Sequence, residues 1–86
     1  MILLYEIVFS LKAKKHFLKL EKTAQERIIS ALERIRIRPE AFITKLVGDP
    51  GYKLRVGDYR IIMDIDKNKL LILVIKVGHR KNIYNI

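Results

Sequence analysis

Apolar residues change their spacing twice along this 86-residue chain. The opening stretch Met1 to Phe9, MILLYEIVF, is nearly all apolar and β-favouring, which is typical of a strand buried on both faces or lying across helices. Ser10 can cap a following helix in which Ala13, Phe17 and Leu20 form one apolar stripe. The pattern therefore predicts a strand that leads into an amphipathic helix.

A second helix is indicated by apolar residues that recur every three or four positions: Ala24, Ile28, Ala31, Leu32 and Ile35. Thr23 and Glu26 have the spacing of a capping box, so this helix is predicted to begin near Ala24. Pro39 is predicted to end it, because a proline disfavours helical geometry in the residue before it. The two helices and their short connection predict an αα-hairpin.

The second half of the chain predicts three strands. Tyr52 to Val56 alternates polar with apolar residues, Gly57-Asp58 fits a two-residue type II′ turn, and a β-rich strand runs from Tyr59 to Asp66. After a polar turn at Lys67-Asn68, the chain returns as Lys69 to Val77. The expected fold is α+β, with an N-terminal strand, a helical hairpin and a three-stranded antiparallel meander in one sheet, the helices packed on one face.

The connector from Glu40 to Gly48 is predicted to be irregular, with Phe42, Leu46 and Val47 tucked under the edge of the domain. Pro50-Gly51 fits the central positions of a type II turn. Because there is no repeat, linker or low-complexity segment, residues 1 to 86 are predicted to form a single domain.

Three cations share one face of the predicted hairpin. The turn places Val56 opposite Tyr59 and Arg55 opposite Arg60, and Lys53 shares the face of Arg55 because side chains alternate along a strand. Like charges directly opposite each other destabilise a sheet by up to about 1 kcal/mol, so a purely structural sheet gains nothing from this cluster. Residues of the opposite parity are predicted to face the helices: Leu54, Val56, Ile61, Met63 and Ile65.

The charge of the chain indicates which kind of partner it binds. Eighteen Lys and Arg against nine Asp and Glu give a formal net charge of +9 and an isoelectric point of about 10. Such a balance predicts a polyanionic partner, nucleic acid first and an acidic protein second. The chain has no cysteine, no signal pattern, and a longest apolar run, Leu70 to Ile75, far short of the roughly 20 residues of a membrane span. We expect a cytoplasmic protein that does not enter a membrane.

The cation cluster suggests phosphodiester chemistry. Arginine grips phosphate oxygens bidentately and offsets charge that develops on phosphorus. Proton transfer would fall to His79, Lys53, Tyr84 or, less usefully, Arg80, since Gly78 to Lys81 is predicted to break the last strand and to place these groups nearby. We expect no cofactor and no metal, because the chain lacks a phosphate-binding glycine loop and its two histidines, His16 and His79, lie far apart in sequence.

Two motifs carry a resemblance to a known family. The runs YKLRVGDYRII at Tyr52 to Ile62 and VGHRKNIY at Val77 to Tyr84, with the helical hairpin before them, resemble the RelE/ParE superfamily of toxin-antitoxin toxins, and the RelE branch in particular. The resemblance covers nearly the whole chain. It implies a metal-independent endoribonuclease that cuts messenger RNA in the ribosomal A site by attack of a 2′-hydroxyl on the adjacent phosphate, inhibits translation and is neutralised by a cognate antitoxin.

The resemblance also implies roles for individual residues. Lys53 and Arg55 match the paired basic strand residues of the family, and Arg60 matches its phosphate-stabilising arginine. Arg80 matches the arginine that assists the leaving 5′-oxygen. Tyr84 matches the C-terminal tyrosine suggested to activate the 2′-hydroxyl or to stack on a base.

At two positions the residue present changes the role that the resemblance implies. The best-studied relatives carry lysine at position 55, and an arginine there can hold phosphate but cannot accept a proton. Position 79 is often lysine or histidine in the family, which makes His79 a stronger acid-base candidate in this chain.

Two other functions stay open. The chain could be a ParE-like inhibitor of DNA gyrase, although the basic hairpin and the cluster of His79, Arg80 and Tyr84 argue against a target that requires no phosphodiester site. It could also be a non-catalytic RNA- or protein-binding module, such as a degenerate toxin, in which the cations only hold phosphates.

Overall fold

A computed structural model of the chain describes residues 3–83. The elements in chain order are β1 (Glu6–Phe9), α1 (Leu11–Leu18), α2 (Lys22–Ile35), a 3₁₀ turn (Pro39–Ala41), β2 (Thr44–Lys45), β3 (Tyr52–Val56), β4 (Tyr59–Asp66) and β5 (Leu71–His79). The predicted α+β class, helical hairpin and three-strand meander are confirmed.

The strands form one mixed sheet in the order β1-β5-β4-β3-β2. β1 runs parallel to β5, and the other neighbours are antiparallel. The helical hairpin leads the chain from β1 at one edge of the sheet to β2 at the other, and the following strands then return until β5 lies parallel to β1. The long, apolar strand β5 therefore lies inside the sheet, with β1 paired along one edge and β4 along the other.

The core fills the space between the helices and one face of the sheet. Ile28 and Leu32 of α2 pack there with Leu54, Ile61 and Met63, all of them buried. Burying a side chain of this size contributes about 1.5–3 kcal/mol. Val56 and Ile65 pack against the same cluster, so the predicted division of the hairpin into a helix-facing parity and a cationic parity is confirmed.

The N-terminal strand is shorter and more exposed than predicted. It begins at Glu6, and its residues alternate between exposed and half-buried because β1 lies at the edge of the sheet. Met1 and Ile2, which the prediction included, lie outside the described residues. Tyr5, just before β1, donates its N–H to the Arg36 carbonyl at 2.9 Å and accepts from Arg36 Nε at 2.8 Å. These bonds fix the start of β1 to the end of α2.

The cap at Ser10 is confirmed, and the capping box at Thr23 is wrong. Ser10 Oγ accepts the Ala13 N–H at 3.0 Å. α2 instead starts at Lys22, after an N-cap residue whose side chain makes no capping hydrogen bond. Gln25 Nε2 donates to the carbonyls of Phe17 and Leu20 near the end of α1, so the tight connection, rather than a local capping box, determines where α2 begins. The helix ends at Ile35, before Pro39 as predicted.

The connector contains a strand that the sequence did not predict. β2 pairs with β3 through Thr44 opposite Lys53 and Lys45 opposite Tyr52. Two residues are too few to show an alternating pattern. Phe42 is 46% exposed and Val47 fully exposed, so the expectation that they tuck under the domain is wrong; Leu46 alone is half-buried.

The type II turn expected at Pro50-Gly51 is also wrong. That turn needs a positive φ at Gly51, and the positive φ falls on Gly48 instead, at 81°. Gly51 is required for a different reason: a Cβ at this buried position would lie 3.2 Å from the Met63 carbonyl oxygen. The glycine thus allows the chain to pass close to β4.

The last strand is displaced from its predicted limits. It spans Leu71–His79 rather than Lys69 to Val77, and Leu70 precedes it with a positive φ of 51°. Asp66 Oδ1 closes the turn by accepting the N–H groups of Asn68 and Lys69, each at 3.0 Å. Gly78 and His79 belong to the strand, so the predicted break occurs only at Arg80.

Candidate functional site

The predicted hairpin register is confirmed. Arg55 lies opposite Arg60, and Val56 lies opposite Tyr59. Gly57 has a φ of 58°, whereas the next residue, Asp58, does not have a positive φ, since Leu70 is the sole non-glycine residue between 3 and 83 that does. A positive φ at the first central residue alone is the pattern of a type II′ turn. The turn thus sets two arginines side by side on the sheet face that points away from the helices.

A β-bulge brings a further cation to that face. Met63 pairs with Val74 and Ile62 pairs with Lys76, which leaves Ile75 as the extra residue. A bulge reverses the side-chain parity of the strand beyond it. Lys76 therefore shares the face of Arg60. We call this surface the basic face, defined by Lys53, Arg55, Arg60 and Lys76.

Ser10 holds the bulge in place. Its Oγ donates to the Ile75 carbonyl at 3.1 Å, and its N–H donates to the Val74 carbonyl at 2.8 Å. The irregular residue thus keeps a hydrogen-bond partner for its carbonyl, as a partly buried backbone group requires. One serine both caps α1 and fixes the strand geometry that orients Lys76.

His79 does not share the basic face. The same bulge pairs it with Tyr59, whose ring packs against the core, and the two rings meet edge to face with centroids 5.8 Å apart. Its Nδ1 accepts the Lys81 N–H at 3.2 Å. The expectation that His79 leaves the sheet in a loop beside the cations is therefore wrong. The cause is the parity reversal at Ile75.

Arg60 and Arg80 are both tied to the turn. Arg60 Nη1 donates to the carbonyls of Gly57 and Tyr59, each at 3.0 Å. The Arg80 N–H donates to the Asp58 carbonyl at 2.7 Å, and its Nε lies 3.8 Å from Asp58 Oδ1. These bonds hold two guanidinium groups near one turn while leaving other donors of each group available for an anion.

The four cations of the basic face form no ion pair among the described residues, although Asp64 lies on the same face of β4. Within residues 3–83 the ion pairs are Arg36–Glu33 at 2.9 Å and Arg80–Asp58 at 3.8 Å, and none involves Lys53, Arg55, Arg60 or Lys76. Lys53, Arg60 and Lys76 are half-buried and Arg55 is exposed. Uncompensated cations on a partly desolvated surface attract an anion more strongly than fully hydrated ones.

The positive surface continues around the turn to α2. A groove of about 530 Å³ there is lined by Arg27, Arg34 and Arg55, with Glu26 as its one carboxylate. The Arg27 guanidinium lies close enough that a Cβ on Gly57 would be 3.2 Å from its Nη2. The sequence analysis did not single out Arg27, because its approach to a turn thirty residues later leaves no local signal.

The remaining candidate, Tyr84, lies outside the described residues, so its proposed role stays a prediction. Across the described part of the chain, no three His, Asp or Glu side chains are grouped so as to hold a metal ion. The helices there are too short and too polar to span a bilayer.

Together the fold and the basic face define a small α+β protein with four cations on the sheet face that points away from the helices. A family model described as the ParE toxin of the type II toxin-antitoxin system, parDE, matches residues 7–84. The mRNA interferase toxin RelE of Escherichia coli K12 is 31% identical over 80 residues, which cover 90% of this chain and 84% of the relative. The mRNA interferase RelE of Shigella flexneri matches to the same extent.

Solved structures give the same result. The intact RelBE toxin-antitoxin complex of E. coli contains a chain that superimposes with a TM-score of 0.75 at 34% identity, over 87% of this chain and 95% of that one. The RelBE2 complex of Mycobacterium tuberculosis gives a TM-score of 0.82 over 90% of this chain and 99% of that one, and at 21% identity it shows the fold alone. The chain belongs to the RelE/ParE family of type II toxin-antitoxin toxins.

Proposed function

We propose that this toxin is a ribosome-dependent endoribonuclease that cleaves messenger RNA in the A site and thereby inhibits translation. The observation that carries the proposal is the basic face: four cations share one open surface without a carboxylate partner in the described structure. The relatives at 31% identity are named mRNA interferases, which supports the same activity.

The proposed reaction is an internal transfer of the phosphodiester. The 2′-hydroxyl loses its proton and attacks the adjacent phosphorus, the bond from phosphorus to the 5′-oxygen breaks, and that oxygen takes up a proton. The products are a 2′,3′-cyclic phosphate and a free 5′-hydroxyl. Lys53, Arg55 and Arg60 would hold the phosphate and offset charge on its oxygens, so that the step needs no metal ion.

In this proposal, fewer side chains are candidates for proton transfer than the sequence suggested. Lys53 lies on the basic face, whereas His79 is paired with Tyr59 on the opposite parity. Arg55 can only clamp, since arginine stays protonated. We assign the base to Lys53 or Tyr84 and the stabilisation of the leaving oxygen to Arg80, which, like Arg60, is hydrogen-bonded to the Gly57-Asp58 turn.

A cognate antitoxin would neutralise the toxin by laying an acidic or apolar segment over the helices and the sheet. Large apolar side chains are exposed on both helices, including Leu11 at 88% and Leu18 at 62% on α1 and Ile29 at 45% on α2. The similar E. coli structure is itself a toxin-antitoxin complex. A partner that covers these side chains would bury apolar surface and could block the basic face.

The test uses purified protein and ribosomes programmed with a defined messenger RNA. The parent should cut the message, and Arg60→Ala should cut at least about a hundredfold more slowly, as expected when a donor to the transition state is lost. Lys67→Ala is the matched control, because it removes one exposed cation from the β4–β5 turn. An intact message with the parent, or equal rates for Arg60→Ala and the parent, would overturn the proposal.

A second candidate is inhibition of DNA gyrase, because the matching family model is described as the ParE toxin. A supercoiling assay with the same protein separates the two activities. Loss of supercoiling together with an intact message would favour the gyrase inhibitor.

A further inference from the structure

Three arginines line the groove between α2 and the β3–β4 turn. Arg27 and Arg34 come from α2, and Arg55 comes from β3. All three are exposed, and none uses its guanidinium group in a hydrogen bond or an ion pair within residues 3–83. Each guanidinium therefore keeps its five N–H donors for a ligand. Of the three, only Arg55 also belongs to the basic face.

The spacing of these arginines is wider than one small anion can bridge. Arg27 and Arg34 are seven residues apart, so they lie on the same side of α2 and about 10 Å apart along its axis. Arg55 faces them from β3. Between the two helical arginines the wall consists of the small side chains of Ser30 and Ala31, which leave the groove open along its length. A single phosphate fills part of this length, whereas linked phosphates extend along it.

The lining of the groove offers donors for phosphate oxygens and little for other groups. Among the described residues that line it there is no aromatic side chain, so a nucleobase finds no ring on which to stack. Glu26 is the one carboxylate there, and Ser30 adds a hydroxyl. Guanidinium groups hold phosphate through two parallel N–H donors, which is the strongest contact that this lining can make. The groove therefore suits a ligand that is recognised by its phosphates.

Arg27 connects the groove to the turn. A Cβ on Gly57 would lie 3.2 Å from Arg27 Nη2, 3.6 Å from Cζ and 3.7 Å from Nη1, so the whole guanidinium group covers the glycine. The Gly57 carbonyl accepts a hydrogen bond from Arg60 Nη1 at 3.0 Å. An anion held by Arg27 thus lies beside the turn that sets Arg55 opposite Arg60.

We propose that this groove binds a run of two or three linked phosphates, supplied by inorganic polyphosphate or by a nucleoside triphosphate. The bound phosphates engage Arg55 together with the two arginines of α2. A guanidinium group held in the groove is no longer available to a phosphate on the basic face, so the two ligands compete for Arg55. The binding step stands by itself, and the effect on message cleavage rests on the proposed ribonuclease function.

The first experiment measures binding at the groove. Inorganic tripolyphosphate is titrated into isotope-labelled protein and followed by NMR at the backbone amides of Ser30 and Gly57 and at the Arg55 Nε–H. All three signals should shift in the parent. The double variant Arg27→Gln/Arg34→Gln should bind at least about tenfold more weakly, because charge-assisted hydrogen bonds are lost.

The control for this titration is Lys67→Gln/Lys69→Gln, which removes the same two charges from exposed positions in the β4–β5 turn. It should bind tripolyphosphate as the parent does. Equal weakening in the two double variants would show a response to net charge alone, and that result would overturn the proposal. An unchanged Arg55 Nε–H signal would do the same, since the proposed ligand must contact this side chain.

Other ligands identify what the groove selects. Orthophosphate should bind at least about tenfold more weakly than tripolyphosphate, because it reaches fewer of the arginines. Tighter binding of ATP than of tripolyphosphate would assign the phosphates to a nucleotide, and the reverse order would assign them to inorganic polyphosphate. If a short uridine RNA or an oligoglutamate peptide shifts Ser30 and Gly57 at lower concentration than either, the groove is an RNA or protein interface and the proposal is wrong.

The second experiment measures competition for Arg55 on ribosomes, with the free Mg²⁺ concentration held constant because polyphosphate binds this ion. Saturating tripolyphosphate should slow message cleavage at least about tenfold for the parent and for Lys67→Gln/Lys69→Gln. The same addition should slow Arg27→Gln/Arg34→Gln by less than about threefold. Equal slowing of all three proteins would show that the phosphates act outside the groove.

The two experiments fail separately. If the parent leaves messages intact while tripolyphosphate binds through Arg27 and Arg34, the nuclease function is wrong and the groove assignment stands. If the parent cuts messages but its Ser30 and Gly57 signals do not respond to tripolyphosphate or ATP, the groove assignment is wrong and the nuclease function stands.

Discussion

Ser10 donates a hydrogen bond from its Oγ to the carbonyl of Ile75 at 3.1 Å, across 65 residues of sequence. The bond joins the first residue of the helical hairpin to the bulge that reverses side-chain parity in β5. Lys76 and His79 both follow this bulge, so the geometry that Ser10 stabilises determines which of the two shares the face of Arg60.

Ser10→Ala should lower the free energy of unfolding by about 1.5–3 kcal/mol. The substitution removes the N-cap of α1, worth about 0.5–2 kcal/mol, and the partner of the Ile75 carbonyl, worth about another 1 kcal/mol. Urea denaturation measures the change. Ser30→Ala, at an exposed site within α2, is the control and should not destabilise. Equal stability of the two variants would show that the Ser10 bonds contribute nothing.

Lys76→Ala should slow cleavage on ribosomes by about tenfold or more, because a charge-assisted hydrogen bond to a phosphate or base contributes about 1.5–3 kcal/mol. The single-turnover rate of message cleavage is the measurement. Lys69→Ala, which removes an exposed cation from the turn before β5, should cleave at the parent rate. A rate for Lys76→Ala that matches this control would place Lys76 outside the functional surface.

The parts of the fold that the sequence predicted correctly depend on local signals. Gly57-Asp58 sets the hairpin register within four residues of the turn, and the register brings Arg55 and Arg60 together. The apolar stripes of α1 and α2 likewise need only the helical repeat, so both helices and the face that they cover followed from spacing alone.

The errors occur where the signal is not local. The run from Leu70 to Ile75 is apolar at every position, so it shows no alternation from which a bulge or a register could be inferred. Without the bulge at Ile75, the pairing of β4 and β5 would turn Lys76 toward the core and His79 toward the cations. One extra residue thus exchanges the two side chains, and it is fixed by a contact with Ser10 that no pattern around residue 75 reveals.

Arg55→Lys should retain more activity than Arg55→Ala. Arginine at this position can hold a phosphate through two parallel N–H donors, whereas lysine offers a point charge. Arg55→Lys therefore keeps the positive charge and loses the bidentate geometry. We expect Arg55→Lys to cleave within about tenfold of the parent and Arg55→Ala to be slower still, measured as single-turnover rates on ribosomes. A faster rate for Arg55→Ala than for Arg55→Lys would contradict a phosphate-binding role.

His79→Gln tests whether His79 lies on the sheet face opposite the basic face, where the bulge at Ile75 places it. Because His79 lies against Tyr59 rather than on the basic face, its loss should change the rate of message cleavage by less than about threefold, well below the roughly hundredfold or greater loss expected for a general acid or base. Lys53→Met, which removes the charge from a position on the basic face, should show that larger loss.

Circular dichroism of both variants checks that the fold is intact, since His79→Gln also removes the acceptor of the Lys81 N–H. A hundredfold loss in a folded His79→Gln variant would mean that the imidazole reaches the substrate from the opposite side of the sheet. The assignment of the base to Lys53 or Tyr84 would then be wrong, and Tyr59→Leu, which removes the ring that holds His79, should reduce activity in parallel.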